Sequence, residues 1–148
     1  MRWWRSLLLA ALLVAGGGLA AGANEPVMLD DAAGAIELWP AVTVLREEGA
    51  PLDIGAAIGR RSEFAPPKYA YAALGFDKVV WLRVPMVVSA SSDGDWILDF
   101  EYTLLNHIDV YLVDKNGVRE RHRLGNGQPF SARPLSSRTH AVQFQFAK

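Results

Sequence analysis

The sequence contains no cysteine among its 148 residues. This absence excludes disulfide bonds, thiolate metal ligands, a cysteine nucleophile and lipid attachment through an N-terminal cysteine. The fold must therefore be held together by a hydrophobic core, and a chain of this length is long enough to bury one.

Neither sign of charge is in excess. Fifteen Lys and Arg residues face sixteen Asp and Glu residues, for a formal net charge of −1. Nucleic-acid-binding domains concentrate basic residues, and long runs of like charge are typical of solvated tails. Neither pattern is present, so we expect no nucleic-acid partner and no charged tail.

The sequence also lacks the motifs of common active sites and metal sites. His107, His122 and His140 are scattered without a metal-binding spacing, and there is no nucleophile elbow, zinc-protease helix or phosphate-binding loop. Asp99 and Glu101 form a carboxylate pair, and glycosidase carboxylates lie roughly 5–10 Å apart. Their spacing alone permits catalysis, but no neighbouring feature predicts a raised pKa. We expect neither an enzyme, nor a cofactor, nor a bound metal.

A long apolar run occurs once, at the start of the chain. A basic segment, Met1–Arg5, precedes the apolar Leu7–Val14, and three glycines then interrupt any helix. Ala21 and Ala23 are small residues suited to cleavage before Asn24. The alternative is an uncleaved anchor, but the run is short compared with the roughly 20 residues of a spanning helix. We predict a signal peptide over residues 1–23 and a periplasmic domain over residues 24–148.

The first half of the predicted domain contains brief elements. Ile36–Trp39 and Val42–Leu45 are rich in β-forming residues and are separated by Pro40, so we predict two short strands. Leu52–Ile58 is predicted to form a helical turn that starts near Asp53.

The second half alternates apolar and polar residues, which is typical of half-buried strands. Asp114–Gly117 predicts a hairpin, because Asn-Gly tolerates positive φ. The pattern favours an all-β sandwich over alternating strands and helices. The predicted strands are Val79–Val88, Trp96–Tyr102, Ile108–Val113, Val118–Leu124 and Ala141–Phe146.

Residue parity predicts which side chains share a face of each strand. If the first two of these strands pair as a hairpin, Trp81, Arg83, Asp99 and Glu101 share one outward surface that suits a sugar or another small polar ligand. The alternative is structural: Arg83 and Glu101 form a cross-strand ion pair worth under about 1 kcal/mol, and Trp81 covers a sheet edge. The predicted apolar faces are Leu82, Val84, Met86 and Val88 on one strand, and Trp96, Leu98, Phe100 and Tyr102 on the other.

Several short motifs, in this order and spacing, resemble one domain family. That family is the type-two extracellular domain of seven-transmembrane receptors with diverse intracellular signalling modules. The likeness extends over most of Val27–Phe146. Its motifs are Val27-Met28-Leu29, Ala73-Leu74-Gly75, Trp81-Leu82-Arg83, Trp96-x-Leu98, Ile108-Asp109-x-Tyr111 and Pro129-Phe130-x-x-Arg133.

The resemblance implies a periplasmic jelly-roll β-sandwich similar to carbohydrate-binding modules. It also implies a seven-helix membrane domain further along the same chain, followed by a histidine kinase or a diguanylate cyclase. The strand pattern still alternates at Phe146, so we expect the last strand or strands, and an inner-membrane tether, to lie in a longer product. Trp81, Arg83 and Arg133 match the family pattern, either as ligand-binding residues or as structural ones. Arg133 follows Phe130 and is placed to support that loop.

Three functions are compatible with these observations. The first is a sensor that binds an envelope ligand, such as a saccharide, and biases an attached receptor. The second is a free-standing periplasmic carbohydrate-binding or accessory module. The third is an interaction module whose outer face forms a homodimer.

Overall fold

The computed structural model describes residues 25–68 and 79–146. The predicted signal peptide, at residues 1–23, and the Ala73-Leu74-Gly75 motif lie outside these ranges. None of the helices in the described ranges has both the length and the apolar character needed to cross a membrane. One compact unit is built around Glu37–Pro85, and a second is built from Met28–Ile36 and Met86–Lys148.

The described residues form eight strands and a single α-helix, which confirms the all-β class. β1 pairs with β4, β2 with β3, β5 with β8 and β6 with β7, and the last three pairs are antiparallel. The elements are β1 Val27–Leu29, β2 Thr43–Arg46, α1 Ile54–Gly59, β3 Val80–Arg83, β4 Met86–Val88, β5 Asp95–Phe100, β6 Ile108–Asp114, β7 Gly117–Leu124 and β8 His140–Gln145.

The predicted helical turn is confirmed as α1. The Asp53 carboxylate caps its start by accepting a hydrogen bond from the Ala56 N–H at 2.7 Å, which satisfies one of the amides that a helix leaves unpaired. Ala57 is the buried residue of this helix.

The prediction of a strand at Ile36–Trp39 is wrong. Residues 36–38 have no regular structure, and Trp39–Ala41 form a 3-10 turn in which the Ala41 N–H bonds to the Leu38 carbonyl at 3.0 Å. Pro40 lies in the first turn, where its fixed φ is favourable and its missing N–H costs nothing. The following strand, β2, begins at Thr43 and confirms the second predicted strand to within one residue.

The prediction of one continuous strand over Val79–Val88 is also wrong, because β3 ends at Arg83 and β4 begins at Met86. Pro85 has no N–H to donate to a ladder, so it interrupts the strand. Before the interruption the predicted faces are reversed, since Leu82 is 43% exposed and Trp81 is half-buried. After it, Met86 and Val88 are half-buried and Val87 is 45% exposed, as predicted.

The β6–β7 hairpin confirms the turn prediction. Asp114 is paired with Gly117, whose φ is +117°, and the Asp114 carboxylate accepts a hydrogen bond from the Asn116 N–H at 2.6 Å. Glycine is favoured at this φ because it has no Cβ. The register of this hairpin places Asp109 opposite Arg123.

The core of the second unit lies beneath β5, β6, β7 and β8. Leu98 and Phe100 pack against it while Ile97 is 60% exposed, as the alternation of β5 predicts. Tyr102 lies beyond the end of β5 and is 59% exposed, so its assignment to the apolar face is wrong. The buried members of this core are Val110, Leu112, Leu124, Val142 and Phe144.

Candidate functional site

The hairpin that was expected to gather the predicted site residues does not form. β3 pairs with β2, and β5 pairs with β8. Trp81 and Arg83 belong to the first unit, whereas Asp99, Glu101 and Arg133 belong to the second. The strand alternation was correct for β5, but it contains no information about which strand would be its neighbour. A ligand-binding role for these five residues stays a prediction.

Trp81 makes a specific contact within its own unit. Its indole Nε1–H donates a hydrogen bond to the Glu47 carboxylate at 2.8 Å, and the same oxygen accepts from the Leu52 N–H at 3.1 Å. The indole and one carboxylate thus fix the loop that connects β2 to α1. This contact favours the structural interpretation of Trp81. Its neighbour Arg83 is half-buried, and its main-chain carbonyl accepts a hydrogen bond from the Thr43 hydroxyl at 3.3 Å.

The two predicted carboxylates are exposed. Asp99 is opposite Ala141 in the β5–β8 pair, and Glu101 follows the end of β5. No pair of strands in the described ranges combines them with Trp81 or Arg83.

Arg133 supports the loop that precedes β8. Its guanidinium carbon lies 5.0 Å from the centre of the Phe130 ring, and its Nη1 donates to the Ser137 carbonyl at 3.2 Å. Its Nε is buried and has no hydrogen-bond partner among the described residues. These local contacts agree with the expected supporting role and leave the Phe130 ring 61% exposed.

A cleft of mixed polar and apolar character lies at the open end of the β6–β7 hairpin, away from the Asn-Gly turn. Its volume is about 320 Å³. Ile108 is half-buried and provides apolar surface, whereas Leu124, its partner across the hairpin, is buried in the core. The remaining lining residues offer an imidazole, a carboxylate, a guanidinium and a carboxamide. The cleft is lined by His107, Ile108, Asp109, Arg123, Leu124 and Gln128.

Two loops frame this cleft through main-chain hydrogen bonds. The Asn126 N–H donates to the Leu105 carbonyl and the Gly127 N–H to the Asn106 carbonyl, both at 2.9 Å. The Asn126 side chain adds a bond from Nδ2 to the Thr103 carbonyl at 2.7 Å. The segment before β6 and the segment after β7 are therefore fixed to each other.

Two glycines allow this close approach. Gly125 has a φ of +107°, and a Cβ there would collide with the Asn106 carbonyl. At Gly127 a Cβ would lie 2.7 Å from the His107 ring. At position 125 only glycine fits without a shift of the Asn106 backbone, whereas a Cβ at position 127 would require the His107 ring to move.

The electrostatics of the cleft are dominated by guanidinium groups on the exposed face of β7. Arg121 Nη2 and Arg123 Nε lie 3.3 and 3.5 Å from the same oxygen of Asp109. The Arg121 guanidinium also lies 5.3 Å from the centre of the Tyr111 ring. Two cations therefore share one carboxylate at the edge of the cleft.

This cleft was not predicted from the sequence, although part of the signal was present. Asp109 lies within a family-like motif, and the predicted hairpin fixes Asp109 opposite Arg123 by counting back from the turn. His107 has no metal-binding spacing to the other two histidines and by itself indicates no cleft. The contact between the two framing loops has no local sequence signal, because main-chain atoms make two of its three hydrogen bonds.

An all-β unit with a loop-framed polar cleft is typical of ligand-binding modules. Residues 40–148 match the family model described as 7TMR-DISM extracellular 2, and the chain belongs to this family. The protein is thus an extracellular sensing domain of a membrane receptor, which implies an extracellular or periplasmic location. Among curated proteins, none matches the chain.

Proposed function

We propose that this domain recognises a saccharide, or another small polar ligand, in the cleft at the end of the β6–β7 hairpin. The observation that carries the proposal is that four polar side chains and the half-buried Ile108 line a cleft of about 320 Å³. This volume lies within the range of small-molecule sites, roughly 300–1,000 Å³.

The chemistry of the lining suits a sugar. Hydroxyl groups can both donate and accept hydrogen bonds, so they pair with the Asp109 carboxylate, the Arg123 guanidinium and the Gln128 amide. The C–H faces of a sugar ring are apolar and suit contact with Ile108, which is half-buried.

Phe130 provides a second feature of a sugar-binding surface. It follows Gln128 by two residues, and its ring is 61% exposed although a phenyl group has no polar atom. The Arg133 guanidinium carbon lies 5.0 Å from the centre of this ring. An exposed aromatic ring two residues from a lining residue is suited to packing against the apolar face of a sugar ring.

Ligand binding would be passed to a membrane domain in the same longer chain. In our proposal this domain has seven helices and precedes a histidine kinase or a diguanylate cyclase, and the described domain itself acts by binding rather than by catalysis. This part of the proposal is based on the family membership. It is also based on the apolar segment at the start of the chain, which we interpret as an export signal.

The test is an NMR titration of the purified chain with a panel of neutral monosaccharides and disaccharides. Backbone amides of His107, Asp109 and Gln128 are expected to shift, and Gln128→Ala is expected to weaken binding about tenfold, equivalent to about 1.4 kcal/mol. Asp99→Ala is the control, because Asp99 is exposed on β5 and does not line the cleft. Loss of binding in Asp99→Ala but not in Gln128→Ala would move the site to β5. No saturable shift with any sugar would refute saccharide binding and restrict the proposal to another small polar ligand.

A further inference from the structure

We infer that the ligand of this cleft carries an oxyanion, a carboxylate or a phosphate attached to the sugar, and that the guanidinium groups of Arg123 and Arg121 recognise it. This inference rests on the proposed function of the cleft. It adds a charge requirement that sugar binding alone does not have.

The first observation is that two guanidinium groups share one carboxylate. Arg121 and Arg123 both approach Oδ1 of Asp109, at 3.3 and 3.5 Å. One carboxylate balances one guanidinium, so this group of three side chains retains a net charge of +1. The whole chain has a net charge of −1, and this local excess of positive charge is therefore not a consequence of overall composition.

The second observation is the position of Arg123. It lines the cleft, and its side chain is 65% exposed. Its ion pair with Asp109 uses Nε, and its Nη1 and Nη2 have no hydrogen-bond partner in the described ranges. A guanidinium whose Nη N–H groups are unpaired can bind a carboxylate or phosphate through two parallel hydrogen bonds.

The third observation is that Arg121 adds a second positive charge beside the cleft. It lies two residues before Arg123 on the same strand face, 5.3 Å from the centre of the Tyr111 ring and 3.3 Å from Asp109 Oδ1. A second guanidinium at this edge strengthens the attraction for an anion.

Arg119 provides a contrast on the same face of β7. It has its own carboxylate partner, Asp114, at 3.7 Å from Nε, and it does not line the cleft. Arg119, Arg121 and Arg123 are all exposed. Arg121 and Arg123 share the Asp109 carboxylate, whereas Arg119 pairs with Asp114. Arg119 is therefore the matched control for a general effect of removing positive charge from the strand.

The experiment compares three probes: D-galactose, D-galacturonate and D-galactose 6-phosphate. Dissociation constants are measured by NMR titration of the full chain at low and high salt. We expect at least one of the two acidic sugars to bind about tenfold tighter than galactose, a difference of about 1.4 kcal/mol. This preference should shrink at high salt, because exposed charges are screened. Whichever acidic sugar binds more tightly distinguishes a carboxylate from a phosphate ligand.

Two variants test which arginine causes the preference for the acidic sugar. Arg123→Gln is expected to weaken binding of the acidic sugar about tenfold more than binding of galactose, and so to remove the preference, whereas Arg119→Gln retains the preference. Equal affinity of the wild-type chain for all three sugars would overturn the inference and leave the proposed function intact. Loss of the preference in both variants would also overturn it, since a general charge effect would then suffice. Absence of binding by all three sugars up to roughly 10 mM would overturn both proposals.

Discussion

The hydroxyl of Ser92 donates a hydrogen bond to Asp31 Oδ1 at 2.5 Å, between residues 61 positions apart in the chain. Ser92 is completely buried, and its oxygen also accepts hydrogen bonds from the Gly94 N–H and the Trp96 indole, both at 3.1 Å. One small side chain therefore joins the turn before β5, the start of β5 and the 3-10 turn that follows β1.

Ser92→Ala should destabilise the domain by about 1–3 kcal/mol, because it leaves buried donors without an acceptor. The measurement is the midpoint and slope of urea unfolding followed by tryptophan fluorescence. Ser91→Ala is the control: Ser91 is exposed, and its loss should cost less than about 0.5 kcal/mol. Equal midpoints for the two variants would show that the buried network contributes nothing specific.

Gly125→Ala should destabilise the protein by about 1–3 kcal/mol and disturb the amide resonances of residues 105–108. The reason is both the φ of +107° and the collision with the Asn106 carbonyl. Gly59→Ala, at the end of α1, meets no atom within 4 Å and should be neutral or stabilising by up to about 1 kcal/mol. If Gly125→Ala unfolds at the wild-type urea concentration, the close approach of the two loops does not occur in solution.

Trp81→Phe should lower the free energy of unfolding by about 1 kcal/mol, since the Glu47 carboxylate loses a donor. Sugar affinity in the cleft should be unchanged, because Trp81 does not line it. Thermal unfolding and sugar titration of the same sample separate the two roles. A large loss of sugar affinity without loss of stability would restore Trp81 as a ligand-binding residue.

The Arg60–Glu63 pair should produce a measurable titration shift. Arg60 donates two hydrogen bonds to the Glu63 carboxylate, at 2.9 and 2.6 Å, and these bonds lower the pKa of Glu63. A lowered pKa in the folded state means that the stabilisation is present above the ordinary pKa of glutamate and is lost as the pH falls through the lowered value. The Glu63 carboxyl carbon, followed by NMR, should titrate below the ordinary value in the wild type and return to it in Arg60→Gln. Identical curves would show that the pair does not persist in solution.

The parts of the fold that could be predicted are those that depend on neighbouring residues. Asp53 indicated the start of α1, and the Asn116-Gly117 turn fixed the β6–β7 hairpin. The alternation from Trp96 to Phe100 gave β5 and its buried face. Each of these features is determined within a few residues of chain, where turn chemistry and parity suffice.

The pairing of distant strands could not be predicted in the same way. β5 pairs with β8 through residues that are 40 to 50 positions apart in the chain, so no turn sets their register. Pro85 was a visible reason for the strand to end. The residues on both sides of it are nevertheless rich in β-forming types, so the pattern favoured one continuous strand. The candidate site was misplaced because it depended on a strand partner, and the cleft was missed because it depends on two loops meeting.

The bonds that frame the cleft have a consequence for how specificity can change. Two of the three connect main-chain groups of residues 105–106 to those of residues 126–127, so they do not depend on which side chains are present at Leu105 or Asn106. His107 and Gln128 can therefore be exchanged for other residues while the loops keep their positions. Related domains that retain glycine at positions 125 and 127 would then share one scaffold and differ in the molecules to which they respond.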